Sequence, residues 1–321
     1  MRIFREADGL HVEAPAKLNL YLEVLGKRPD GFHELITIMQ ATDFCDELIV
    51  EEAASGVALE VQGAALPTDE GNLVYRAAKA FLAAHAPSRG VRIRLVKRIP
   101  MGAGLGGGSA DAAATVVALD RLYGLGVSRT KMEAIGAALG SDVNFFFHGG
   151  TALCTGRGEK VAGIYFPYRS AFHYVLLVPG IHVSTAEVYK NVRGIPILDW
   201  AQHRDKPRER FEADLEQTGA ALLGHARMVI ALSMGDVEGV ARQLKNRLEP
   251  VTLALQSELA PFREALVAEG LAALMSGSGS AFFGLAPSRE KAVAAAARLE
   301  PRFPGRVRVV SGGGEPDFVW M

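Results

Sequence analysis

The sequence predicts an α+β fold in two domains. Three observations carry that prediction. Strand-like and helix-like stretches mix along the chain without a regular βαβ rhythm, which disfavours a doubly wound sheet. The chain has 321 residues, 49% of them hydrophobic, enough to bury two cores of ordinary size. The stretch from Pro167 to Ala171 reads as a junction, dividing the chain into residues 1–168 and 169–321.

The elements follow in order. Ile3 to Ala14 reads as a strand and Leu18 to Leu25 as another, with Ala14-Pro15-Ala16-Lys17 as the break between them. Gly26 to Gly31, rich in Gly, Pro and Asp, reads as a turn. Glu47 to Glu52 and Val57 to Val61 read as a β pair. Asn72 is a good N-cap for a helix from Leu73 to His85. Val91 to Lys97 alternates as a strand. Ser109 to Tyr123 carries Ala112, Val116, Leu119 and Tyr123 at helical spacing. Ser128 or Thr130 can cap a further helix that ends near Gly140. Gly149-Gly150 begins a turn, Thr151 to Cys154 a strand, and Tyr174 to Pro179 a buried strand. Asp199 to Glu212, charged and proline-bearing, reads as a solvated loop, and helices cover much of Leu222 to Ala268. Leu271 to Leu285 holds strand, glycine turn and strand. Ser288 caps a helix to about Leu299, and Arg306 to Val310 closes as a strand.

The stretch Pro100-Met101-Gly102-Ala103-Gly104-Leu105-Gly106-Gly107-Gly108-Ser109-Ala110 carries the chemistry. Five of the seven positions from Gly102 to Gly108 are glycine. No packed core needs that density, because glycine buries nothing and loses the most backbone entropy on folding. A strand precedes it and a helix follows. A glycine loop at a helix N-terminus presents unsatisfied N–H groups and a partial positive charge, which suits phosphate. Two well-known loops fit poorly. The P-loop of large NTPases needs a lysine where Gly108 stands. The dinucleotide fingerprint matches at Gly102, Gly104 and Gly107, but no βαβ unit or ribose-binding acid follows.

Composition excludes several classes. A net charge of −1 and a pI near 6.7 leave no basic surplus for nucleic acid or an acidic membrane. Any anionic substrate must therefore be met by local donors. Cys45 and Cys154 have neither metal spacing nor a disulfide framework, so they read as reduced thiols. The N-terminal residues show no apolar signal and no run reaches transmembrane length, so a cytoplasmic enzyme is expected.

The glycine stretch resembles the signature P-x-x-x-G-L-G-G-S/G-S-A/S of the small-molecule kinases related to galactokinase, homoserine kinase and mevalonate kinase, the GHMP kinases. Ala14-Pro15-Ala16-Lys17-Leu18-Asn19-Leu20 is similar to their first motif. Met275-Ser276-Gly277-Ser278-Gly279-Ser280-Ala281 is similar to their third. All three motifs occur in the family's order. Gly26-Lys-Arg-Pro-Asp30-Gly31-Phe32-His33 and Leu139-Gly140-Ser141-Asp142-Val143-Asn144-Phe145-Phe146 resemble elements of one branch, whose members phosphorylate the 2-hydroxyl of a cytidine diphosphate-linked methylerythritol with ATP. A different alcohol, homoserine or a mevalonate derivative, is the competing reading; it gives no reason for Asp30 to His33. The resemblance implies an N-terminal domain like domain 2 of ribosomal protein S5 and a ferredoxin-like C-terminal domain that contributes to substrate binding. Three positions depart from the pattern. Asn144 stands for the usual proline, Ser141 for an alanine, and Ala281 for threonine or cysteine.

The resemblance also implies site residues. Asp142 is the candidate base and Lys17 its partner, since a lysine beside an aspartate keeps the carboxylate ionised and can steady a travelling phosphoryl group. Residues 100–110 would hold ATP phosphates through backbone N–H groups. Mg²⁺ is expected with ATP, and Ser109 could touch phosphate or the ion, or serve as an N-cap. Asp111 is a weak ligand candidate; a first-turn residue answering the helix dipole is the plainer reading. Lys97 and Asn72 resemble nucleotide contacts, or could be a surface lysine and a cap. Phe32 and Tyr189 resemble two aromatics that sandwich cytosine, with His33 reading its edge, although Tyr189 could equally be core. Asn19 shares the Lys17 face of its strand and could meet the methylerythritol hydroxyls. The expected partner is a small molecule, with no nucleic acid or membrane, and the enzyme a monomer or homodimer.

Overall fold

The computed structural model describes residues 1–164, 172–194 and 208–312; of 208–215 and 218 it describes the backbone alone. The expected junction at Pro167 to Ala171 lies outside these residues. The first part of the chain runs β1 (Arg2–Glu6), β2 (Gly9–Lys27), β3 (His33–Ala53), β4 (Gly56–Gln62), α1 (Leu73–His85), β5 (Gly90–Val96), α2 (Gly107–Tyr123), α3 (Arg129–Leu139), α4 (Val143–His148), β6 (Thr151–Gly156) and β7 (Lys160–Ile164).

The backbone of this part is the long antiparallel pair β2 and β3. The break expected at Ala14 to Lys17 is a bulge inside one 19-residue strand. Pro15 lies opposite Cys45 and Lys17 opposite Ala41, so β3 loops out three residues there. A bulge tolerates a proline, which has no N–H for the ladder, and it re-aims the side chains that follow. The true turn is at Ala7 and Asp8. Val57 to Val61 does not pair with Glu47 to Glu52 either. β5 lies between them, antiparallel to β3 and parallel to β4. β5 has a wholly buried face in Val91, Ile93 and Leu95, whereas no residue of β4 is fully buried. The strand with more apolar surface to bury takes the inner place. Helices α1, α2 and α4 close the core with Phe81, Val116, Leu119 and Phe145.

The second part runs β8 (Phe172–Leu177), α5 (Thr185–Asn191), α6 (Arg208–Ser233), α7 (Val237–Gln243), β9 (Lys245–Asn246), α8 (Glu249–Leu255), α9 (Ala260–Ala268), β10 (Ala272–Met275), β11 (Phe282–Ala286), α10 (Arg289–Leu299) and β12 (Val307–Gly312). Its four main strands lie in the order β12-β8-β11-β10, all antiparallel. In chain order that is fourth, first, third, second, the ferredoxin-like arrangement expected. Of the stretch Asp199 to Glu212, read as a loop, residues 199–207 lie outside the description, and Arg208 onward is helical.

The two parts share one sheet. Gly312 of β12 pairs with Thr42 of β3, in the segment looped out by the bulge. Between them lies a core of Leu18, Leu20, Tyr21, Tyr174, Phe283 and Met228. The first half of β2 thus belongs to one core and the second half to another, with Lys17 at the change of face.

Candidate active site

The glycine loop has an alternating backbone. Gly102, Gly104 and Gly106 all have left-handed φ, between +64° and +76°. Alternation of this kind turns successive N–H groups to one side and makes an anion-binding concavity. Space demands glycine as well. A Cβ on Gly104 would strike the Ser276 carbonyl, and one on Gly106 would come within 2.9 Å of Lys17 Cγ. Helix α2 starts at Gly107, with Gly106 as N-cap and no side chain capping it. Ser109 is therefore inside the first turn and is not the N-cap. The N–H groups at this end remain the helix's free donors.

Both ends of the chain clasp this loop. Lys17 N–H donates to the Leu105 carbonyl at 2.9 Å, and Ala281 N–H to the Ala103 carbonyl at 3.1 Å. The Ser276 hydroxyl donates to the Gly104 carbonyl at 3.0 Å. Ala103, Leu105 and Ala110 are buried in the cores, Gly107 is buried and Gly108 exposed, and Met101 next to Pro100 is exposed.

Lys17 Nζ stands 3.6 Å from Asp142 Oδ2 and donates to Asn19 Oδ1. The Asn19 amide donates to Thr37 Oγ1 at 2.9 Å, and that hydroxyl donates to the Tyr21 carbonyl at 2.8 Å. The chain of bonds fixes the ammonium from behind. The Lys17 side chain is 4% exposed and that of Asp142 34%, so the carboxylate faces open space. Asp142 occupies the residue before α4, as its place ahead of the apolar run 143–147 predicts.

These groups line a cleft of about 930 Å³ that also takes in Gly102, Gly104, Gly106 and Gly277, and Phe32, His33 and Tyr189. Phe32 is 48% exposed at the tip of a turn closed by its own N–H on Asp30 Oδ1. The Arg157 guanidinium lies 4.7 Å from its ring centre. The His33 and Tyr189 rings are 5.3 Å apart and tilted by 32°. Burial, and then the charge of Lys27, hold the His33 imidazole below its ordinary pKa, which favours the neutral ring. Burial, and then Asp142, push the Tyr189 phenol up, so it stays a hydroxyl. Tyr189 lines the cleft and also packs on the second-part core.

Three expected residues are placed otherwise than as ligands at the cleft wall. Asn72 caps α1, accepting from Val74 N–H and donating to the Pro67 carbonyl. Lys97 is buried behind the loop, where its ammonium donates to Asp46 and to Asp111, the latter at 2.7 Å. Asp111 is not in the first turn of α2 but in the second, and is 2% exposed. Burial pushes its carboxyl up against the pull of Lys97. The lining residues that the sequence reading did not single out as site residues include Thr37, Arg157, Gly158 and Ser278. The Gly156-Arg157-Gly158-Glu159 turn and the third glycine motif were the signals that could have found three of them. Among the described residues one group of three or more side chains could hold a metal, Glu6, Asp8 and His11, and it lies outside the cleft lining. No helix among the described residues is long and apolar enough to cross a membrane.

The profile of the GHMP kinases N terminal domain matches residues 72–150, and that of the GHMP kinases C terminal domain residues 228–304. The 4-diphosphocytidyl-2-C-methyl-D-erythritol kinase of Pelotomaculum thermopropionicum is 44% identical over 89% of this chain and 92% of its own. That of Moorella thermoacetica is 40% identical over 92% and 97%. This chain belongs to the 4-diphosphocytidyl-2-C-methyl-D-erythritol kinase family. A crystal structure of a 4-(cytidine 5'-diphospho)-2C-methyl-D-erythritol kinase superposes with a TM-score of 0.73 at 38% identity, covering 95% of this chain and 99% of that one. The homoserine kinase of Cytophaga hutchinsonii superposes almost as well, at 0.72, but with 21% identity, and so speaks for the fold alone. The family's kinase fold and the cleft agree with the α+β reading and with the three motifs meeting at one place.

Proposed function

We propose that this kinase transfers the γ-phosphoryl group of ATP to the 2-hydroxyl of 4-diphosphocytidyl-2-C-methyl-D-erythritol, giving the 2-phosphate and ADP. The carrying observation is the half-exposed Asp142 carboxylate, 3.6 Å from the buried Lys17 ammonium, in a cleft walled by Gly102, Gly104 and Gly106. Phosphoryl transfer asks the protein for positioning, charge neutralisation and a group that takes the hydroxyl proton. The amides of residues 102–109 hold the phosphates. Asp142 accepts the proton of the 2-hydroxyl as its oxygen attacks phosphorus and the bond to the ADP oxygen breaks. Lys17, aimed by Asn19, steadies the negative charge gathering between them. Asn19 can also meet the methylerythritol hydroxyls.

The cytidine end would lie against Phe32 and Tyr189, with neutral His33 at the edge of the base. Residues 1–168 supply the nucleotide half and 169–321 contribute Tyr189 and the Ser276–Ser278 wall. A Mg²⁺ ion bound with ATP would supply neutralisation of the phosphate charge. The ion would be held mainly by phosphate oxygens and water, with the Ser109 hydroxyl at the helix start; Asp111 gives Oδ2 to Lys97, and its Oδ1 is buried with no hydrogen-bond partner. The enzyme works in the cytoplasm on a small molecule, as a monomer or homodimer.

Asp142→Asn tests the reading. General-base assistance is worth ~10²–10⁴-fold, so kcat should fall by that factor while ATP binding, followed by fluorescence titration, persists. Normal turnover by the purified variant would overturn the assignment of the base.

A further inference from the structure

We propose that Asn144 is a positioning residue for Asp142, holding the entrance of α4 against the β6–β7 hairpin; the inference rests on Asp142 being the base. Asn144 is 6% exposed, and its side-chain amide donates to the Glu159 carbonyl at 3.2 Å. Its Oδ1 is buried with no hydrogen-bond partner. An unsatisfied buried acceptor costs about 1–3 kcal/mol. Residue 144 is the second residue of α4, where the family pattern carries proline and where proline is well tolerated. The chain thus carries a costly carboxamide at a position where a ring would serve the helix. What the carboxamide adds is its donor arm.

That arm reaches a stiff turn. Arg157 N–H donates to Glu159 Oε2 at 2.6 Å, and Gly156 N–H to Glu34 Oε1 at 3.1 Å. Gly158 has φ +113°, and a Cβ there would lie 3.5 Å from Asp142 Oδ1. The turn therefore forms the wall beside the carboxylate, and the same turn presents Arg157 to the ring of Phe32. The bond from Asn144 to Glu159 ties this wall to the helix entrance two residues after Asp142. The seat for the amide exists because Gly136 of α3 has no side chain; a Cβ there would collide with Asn144 Oδ1. Gly136, Asn144 and Glu159 together set how closely the wall approaches the carboxylate.

Two variants break this arrangement from opposite sides. Asn144→Leu keeps the branched heavy-atom skeleton and removes the donor, and Gly136→Ala keeps the donor and evicts the amide. In both, hydrogen exchange of the 156–159 amides should quicken by about tenfold while exchange in α2 is unchanged. In both, kcat should fall by about tenfold with KM for ATP within about twofold, as expected for a misplaced base. Unchanged exchange at 156–159, or a kcat per folded molecule within about twofold of the parent in either variant, overturns the proposal. The exchange readout does not depend on what Asp142 does. A normal Asp142→Asn enzyme would sink the base assignment, whereas static exchange would sink the clamp.

Discussion

Two lysine–aspartate groups flank the same glycine loop, and they differ in almost everything except composition. On the cleft side, Lys17 meets Asp142 at 3.6 Å, with the carboxylate 34% exposed. Behind the loop, Lys97 lies between Asp46 and Asp111, whose side chains are 0% and 3% exposed. Asp46 also accepts from the N–H groups of Arg98 and Ile99 at 2.5 and 2.8 Å. The rear group is shut away from the cleft: its ammonium donates to both carboxylates, Asp111 Oδ1 is buried with no hydrogen-bond partner, and the group braces the strand end that enters the loop. The front group is open: its carboxylate has room for a hydroxyl proton, and its ammonium has a neighbour it can leave. The same residue types are framework when buried together and chemistry when the carboxylate opens on a cleft.

The largest effect that tests this contrast is on stability. Lys97→Met leaves two carboxylates buried together, and breaking a buried pair in this way costs about 3–5 kcal/mol. Lys17→Met removes one partner of a carboxylate that water already reaches, so its stability should change by about 1 kcal/mol or less while turnover collapses. Urea unfolding of the two variants separates the roles. Equal losses of stability would erase the distinction between front and rear.

Among the aromatic residues the contrast sharpens. Phe32 is exposed on a surface turn, whereas Tyr189 also packs into the second-part core. Stacking a base on a ring is worth about 1–3 kcal/mol, so Phe32→Ala should raise KM for the cytidine substrate by roughly 5- to 150-fold. KM for ATP and the melting temperature should hardly move. Tyr189→Ala should lower the melting temperature as well. Equal effects of Phe32→Ala on both KM values would end the stacking model.

Much of this was legible in the sequence because it depends on local chemistry. The glycine loop needs glycines whatever surrounds it, whereas Asp142 was singled out by the family motif from Leu139 to Phe146, because its local setting alone suits an ordinary helix-end residue. Strand order was not legible where it depends on competition. Nothing in Val57 to Val61 says that β5, which starts 57 residues after the start of β3, has the better claim to the place beside it. Lys97 was misread for the same reason. Its partners Asp46 and Asp111 come from β3 and α2, 51 and 14 residues away, and only their meeting behind the loop consumes its charge. Pro15 misled in the other direction, since a proline is a breaker by habit but sits in a bulge when the partner strand gives three residues of slack.

The smallest predicted effect comes from a third charged group on the same strand, six residues before Lys17. The His11 ring is nearly buried, with Nδ1 2.9 Å from Glu47 Oε1 and Nε2 2.8 Å from Asp8 Oδ1, and Glu6 at 3.8 Å. Phe4 covers one ring face, while Arg94 pairs with Asp8 and Arg98 with Glu47. Burial pulls the imidazole pKa down, but the bonds to Asp8 and Glu47 outweigh it and hold the ring above its ordinary value. A group whose folded pKa is raised contributes its full stability below the ordinary histidine value, about 6.5, and loses it as pH climbs through the folded value. The parent should therefore lose about 2–4 °C more of its melting temperature than His11→Gln between pH values of about 6 and 9. Catalysis should be unaffected, because the ring pins β1 to β2 and β3 roughly 20 Å along the strand from Lys17. Parallel melting curves for the two proteins across that range would mean that the ring is neutral there. The closed and open ion groups would then be joined by a third kind, a neutral hydrogen-bonded histidine, and charge would have no part in holding down the N-terminal hairpin.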